Sequence, residues 1–145
     1  MESKAVIAAR LLLGLVFFGF ALNFPLALFY LPPAQGEAAE FIDGLIASRY
    51  FLPLLFVTYF FTGATLLTGR FVPLALTILA PIIVNIAVMH CFLPSSGAEI
   101  CLAALVTALE IFLVWSWRAA FRPLLRARYE PVPSKTEPIE AIAHQ

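Results

Sequence analysis

Charge is scarce in this chain. Nine Lys and Arg and nine Asp and Glu among 145 residues are too few to coat a soluble globule of that length, and 62% of the chain is hydrophobic, with a mean hydropathy of +0.95. Bilayer is therefore the expected solvent, and a nucleic-acid partner is not expected. Histidine is nearly missing. His90 and His144 are the only two, and His144 falls in the C-terminal tail, so His90 beside Cys91 is half a metal site without its other half. The two cysteines, Cys91 and Cys101, do not have C-x-x-C spacing, which leaves a thioredoxin-like or quinone-reducing dithiol mechanism without support. Neither a nucleophile with its base nor a phosphate-binding glycine loop appears, and no repeat stands out. The chain carries no self-contained catalytic constellation.

What is present is four long apolar runs. A span needs about 20 largely apolar residues, and Ala5 to about Leu28, Tyr50 to Gly69, Phe71 to Leu93, and Gly97 or Ile100 to Trp117 qualify. At the ends of these spans Lys4, Arg10, Arg70, Arg118, Arg122, Arg126, Arg128 and Lys135 fall on one side and only Arg49 on the other. The positive-inside rule then places both termini in the cytoplasm, and Glu37, Glu40, Asp43 and Glu99 fall in the external connections. Tyr30, Tyr50, Trp115 and Trp117 sit near the expected interfaces, where amphipathic rings settle. A secretory signal is the alternative for the first run, with Gly19-Phe20-Ala21 imitating a cleavage site. Against it, the apolar run continues to Leu31, and cleavage would put the remaining termini on opposite sides.

The expected fold is an all-α membrane protein: residues 1–128 form an antiparallel four-helix bundle with a short amphipathic interfacial helix in the first external loop, and residues 129–145 form a proline-punctuated disordered tail. The first helix weakens at Pro25 and stops at Pro32-Pro33. Glu37, Glu40, Asp43 and Gly44 alternate with Ala38, Phe41, Ile42 and Leu45 at helical spacing, as in a helix lying in the interface, either a cap over the bundle or a ligand lid. Thr58, Thr62 and Thr65 share a face suited to close helix packing. Only Gly69 and Arg70 separate the second and third spans, which makes those helices antiparallel neighbours. Pro81 interrupts the third, and Thr77, Pro81, Asn85 and Met89 follow one stripe. In the fourth, Ala103, Thr107, Glu110, Val114 and Trp117 share a face, and Arg118, Arg122, Arg126 and Arg128 continue the helix into a basic stretch that suits anionic headgroups.

Glu110 is the sharpest chemical signal, because a charged side chain near a bilayer centre costs roughly 2.5–3.5 kcal/mol on insertion scales. The cost falls if the carboxyl holds a proton or a cation sits nearby. Arg10 lies at a similar depth by helical rise, so an Arg10 to Glu110 pair is one reading. Arg10 snorkelling to headgroups, with Glu110 as interhelical glue, is the other. Asn85 and Asn23 fall in the outer half of the membrane, where together they either hold a polar ligand or tie helices together. Arg10, Asn23, Asn85 and Glu110 thus make up a hypothetical polar interior. Cys91 and Cys101 lie at the outer ends of adjacent spans, open either to a disulfide or to packing as two free thiols.

The run Arg10-Leu-Leu-Leu-Gly14-Leu-Val-Phe-Phe-Gly19 with Asn23, Gly63 before the Thr-Gly-Arg70-Phe-Val-Pro-Leu-Ala turn, Ala80-Pro-Ile-Ile-Val-Asn85, and Glu110 ahead of Trp115 together resemble the DoxX-like family of small four-span membrane proteins. The resemblance covers about residues 5 to 125 and rests on the order of several weak motifs. Some members of that family are membrane subunits of thiosulfate:quinone oxidoreductase. The resemblance thus implies a bacterial inner-membrane, redox-associated or accessory subunit, with a membrane redox or dehydrogenase partner, lipid around it, and a quinone-like or lipid-like ligand. Many relatives carry Glu four residues before the glycine of the second span, where this chain has Tyr59, a departure that weakens a carried-over quinone site. A small proton-coupled transporter using Glu110 and a purely structural membrane partner are the alternatives.

Overall fold

In a computed structural model, which describes residues 3–30, 33, 36–93 and 95–125, the protein is built of helices. The C-terminal tail, with Arg126, Arg128 and Lys135, and the prolines Pro32 and Pro94 lie outside the described residues. Among the described residues four helices are long and apolar enough to cross a membrane: α1 (Lys4–Leu26), α3 (Phe51–Thr68), α4 (Val72–Phe92) and α5 (Gly97–Ser116). Between the first two lies α2 (Glu37–Ala47), and α6 (Arg118–Phe121) with a 3-10 turn (Arg122–Leu125) follows the last. Their apolar residues cover both the inside and the outside. Leu13, Leu66, Leu76, Leu79 and Leu113 are fully buried, while Leu15, Phe61, Phe92, Ile111 and Trp115 stand exposed. Apolar surface on that scale fits a hydrocarbon solvent and an integral membrane protein.

The helix ends follow from local chemistry. Ser3 caps α1 by accepting from the Val6 amide. At its other end α1 stops at Leu26, short of the Pro32-Pro33 stop expected from the sequence. Pro25 lacks the amide that would continue the ladder, Ala27 turns left-handed, and Asn23 captures the departing chain. The Asn23 carbonyl accepts from the Ala27 amide, and its side-chain Oδ1 accepts from the Phe29 amide at 2.9 Å. Gly69 ends α3 at φ 73°, its amide reaching the Thr65 and Leu66 carbonyls, as a left-handed helix terminator does. α4 starts within three residues, with Pro73 in its first turn, and runs on through Pro81. A capping box of Ser96 and Glu99 starts α5. That helix does not extend directly into the basic stretch, as the sequence suggested. It ends at Ser116, and Arg118 folds back so that its Nη1 donates to the Trp115 carbonyl and its guanidinium lies 5.2 Å from the Trp115 ring centre.

α1 packs on α3 and α5, and α4 packs on the same two helices, so the four long helices close into a ring. The tightest approach is α1 against α3. A Cβ added at Gly63 would sit 2.7 Å from the Phe18 amide nitrogen, so this glycine is what lets the two backbones come together. Nearby, Phe17 meets Tyr59 edge to face with ring centres 5.0 Å apart. The aliphatic core joins Leu13, Leu66, Leu76, Leu79, Val106 and Leu113 from all four long helices.

A candidate ligand cavity and a buried carboxyl

Where the C-terminal halves of α1 and α4 face the N-terminal halves of α3 and α5, the core gives way to a cavity of about 410 Å³, a size that suits a small ligand. Its walls are Val16, Phe17, Phe20 and Phe24 of α1, Leu55 and Tyr59 of α3, Ile86, Met89 and His90 of α4, and Glu99, Leu102, Ala103 and Val106 of α5. Ile42 of α2 completes the lining, so the short helix contributes to the site as well as packing on α3. The physical origin is a change of side-chain size and shape. Beyond the leucine core, the facing positions turn to aromatic rings on α1 and α3 and to small or flexible groups, Ala103 and Met89, on α5 and α4.

Among the described residues, polarity is confined to three lining side chains. Glu99 and His90 stand at the ends of their helices, close enough to interact electrostatically, and Tyr59 stands two turns into α3. Carboxylate Oε2 of Glu99 accepts from the Ser96 amide at 2.7 Å. His90 Nδ1 lies 2.8 Å from the Ile86 carbonyl. A carbonyl only accepts, so Nδ1 carries the proton and Nε2 is the nitrogen open to a ligand. Sequence reasoning passed over this cavity. It weighed His90 only as a metal ligand, Glu99 only as an external acid and Tyr59 only as a departure from the family pattern. Their common signal, polar groups at the same end of three different spans, becomes a site only once the helices are arranged.

The residues singled out from the sequence are not brought together as one polar interior. Asn85 is exposed, not turned to the bundle axis as expected. The buried stripe of α4 is Val72, Ala75, Leu76, Leu79 and Ile83, and two residues past Ile83 a side chain points to the opposite face. Of the expected stripe, Thr77, Pro81 and Asn85 are exposed, while its fourth member, Met89, is half-buried and lines the cavity. Asn23 is half-buried and engaged in ending α1. Arg10 Nη1 donates to the Leu66 carbonyl at 2.9 Å, and its guanidinium lies where a Cβ on Gly69 would stand. Arg10 thereby caps the C-terminal end of α3, where the helix dipole welcomes a cation. Cys91 and Cys101 are exposed free thiols, each off the buried stripe of its helix. The disulfide reading therefore finds no bridge here. Among the described residues no group of three or more His, Cys, Asp or Glu side chains is placed to hold a metal.

Glu110 is inward, as its cost in lipid demanded. It is 5% exposed, on the α5 stripe with Ala103, Val106 and Leu113. Neither carboxyl oxygen has a hydrogen-bond partner among the described residues, so the expected pairing with Arg10 is not made through a hydrogen bond to Glu110. The indole nitrogen of Trp117, two turns along the same face, is likewise buried without a partner there. A deeply placed carboxyl in this state can hold and release a proton. Comparison with family models, with curated proteins and with solved structures gives no match to this chain.

Proposed function

We propose that this protein is an accessory subunit of a bacterial inner membrane that holds a small lipid-like molecule in the cavity between its four spans. The cavity carries the proposal: about 410 Å³, walled by apolar and aromatic side chains, and polar, among the described residues, only at Glu99, His90 and Tyr59. Such a shape takes an amphiphile with its body between the helices and its head at the helix ends. In this reading the helices run antiparallel, both termini are cytoplasmic, and α2 lies in the outer interface over the cavity. The support is Lys4, Arg10, Arg70, Arg118 and Arg122 against Arg49. The DoxX-like resemblance supports a redox-associated role with a quinone-like occupant. Among the described residues Tyr59 is the one hydroxyl of the lining, beside one histidine and one carboxylate, a donor-poor set that favours a lipid-like occupant over a quinone. Mass spectrometry of the purified protein, released from detergent in the gas phase, tests the proposal. A bound small molecule should be retained by the native chain and lost from the cavity-filling variants Val106→Phe and Ala103→Leu. A ligand retained equally by both variants, or found on none of the three, overturns it.

A second reading, a small proton-coupled transporter, draws on a single observation, the inward carboxyl of Glu110 without a hydrogen-bond partner. Glu110→Gln in proteoliposomes separates the two. Loss of ligand-driven proton movement with ligand binding intact supports transport, and no proton movement in the native protein removes it.

A further inference from the structure

We propose that the cavity selects an amphiphilic amine, a molecule with an apolar body and a single ammonium head. The inference rests on the reading of this cavity as a ligand site. Among the described residues no Lys or Arg lines the cavity, while one carboxylate does, so a phosphate or carboxylate head would meet the Glu99 charge with no Lys or Arg to offset it. The two polar groups at the helix ends present acceptors. His90 holds Nδ1 2.8 Å from the Ile86 carbonyl, a donor role for that nitrogen, and as a neutral ring it offers Nε2 as an acceptor. Glu99 uses Oε2 on the Ser96 amide, and Oε1 is the second oxygen of the same carboxylate. Its capping box with Ser96 also engages the Ser96 and Glu99 amides at the start of α5, which removes them as anion ligands. Below this acceptor pair the wall is aromatic, with Phe17, Phe20, Phe24 and Tyr59, and ring faces attract an ammonium where they would repel an anion.

The dimensions limit the body of the ligand. From Glu99 to Val106, the deepest α5 residue of the lining, is two helical turns, about 10 Å by helical rise. A single short chain or one ring system fills that depth with its head level with Glu99 and His90. A two-chain phospholipid does not fit within about 410 Å³.

A matched series sharing one apolar body tests the inference: octylamine, octanol and octanoate, titrated calorimetrically into the full chain in phosphatidylcholine nanodiscs, with empty discs subtracted. Octylamine is expected to bind most tightly, octanol about twofold to fivefold more weakly, as one largely solvated ion pair dictates, and octanoate weakest. Glu99→Gln, which keeps the capping box because Gln serves at that position, is expected to bring octylamine to the level of octanol and leave octanol unchanged. Octanoate binding as tightly as octylamine, or an amine preference untouched by Glu99→Gln, overturns the amine inference while saturable octanol binding leaves the cavity reading standing. No saturable binding of any of the three, or binding unaffected by both Val106→Phe and Ala103→Leu in variants that melt cooperatively, overturns the cavity reading and the inference with it.

Discussion

Gly63→Ala adds one methyl group at the point where α1 and α3 come closest. The new Cβ would lie 2.7 Å from the Phe18 amide nitrogen and 2.9 Å from both its Cα and Cβ, against an ordinary contact of 3.4–4 Å. The atoms in the way are mostly backbone, so no side chain can swing aside. The helices must part by roughly 0.7 Å, a gap that forfeits about a quarter to a half of the dispersion energy of each contact it opens. Overpacking of this kind costs about 1–3 kcal/mol, and the better helix propensity of alanine returns at most about 1 kcal/mol. The expected net loss is about 1–2 kcal/mol. Equilibrium unfolding in mixed micelles measures it, with two other glycines of α1 as internal standards. At Gly14 an added Cβ meets Leu66 and Leu67 side-chain atoms at 3.1–3.2 Å, and at Gly19 it meets nothing within 4 Å. The stability order should be Gly19→Ala at or above the native chain, then Gly14→Ala, then Gly63→Ala. Gly63→Ala as stable as Gly19→Ala would refute the close α1 to α3 seam.

Three other outcomes are expected. Arg10→Gln should cost about 1–2 kcal/mol, because it removes a charged donor from the end of α3, and a double-mutant cycle with Glu110→Gln should be additive within about 0.5 kcal/mol; a coupling above about 1 kcal/mol would restore the Arg10 to Glu110 pair. Asn85→Leu should leave the unfolding free energy of the monomer unchanged or slightly raise it, since an outward amide gains nothing from the core; a loss above about 2 kcal/mol would mean that Asn85 is satisfied inside the protein. Reporter fusions should place residues near Glu37 outside and the residue after Gln145 in the cytoplasm, and an external C-terminus would invert the proposed orientation of the cavity.

The sequence by itself determined the solvent and the number of spans. Length and hydropathy are summed over some twenty residues, and no packing detail can reverse such a sum, so the four long helices fall where the apolar runs do, within a few residues. Caps were legible for the same local reason: Ser96 with Glu99, Gly69 in its turn, and Pro73 at a helix start each act on their own few neighbours. Glu110 facing inward was legible too, since exposure to lipid carries a large one-body cost. Asn85 shows where this reasoning stops. Periodicity correctly put Thr77, Pro81 and Asn85 on one stripe, yet the aliphatic positions of α4 offered several faces of nearly equal hydrophobicity. When both lipid and core are apolar, hydrophobicity no longer says which face turns in. That choice belonged to packing, to the fit of Leu76, Leu79 and Ile83 against α3 and α5. Arg10 likewise met the end of α3, because a ring of helices fixes neighbours that depth along the chain cannot. The cavity of Tyr59, His90 and Glu99 was decided in the same way, by four helices from distant parts of the chain failing to fill the space at one end.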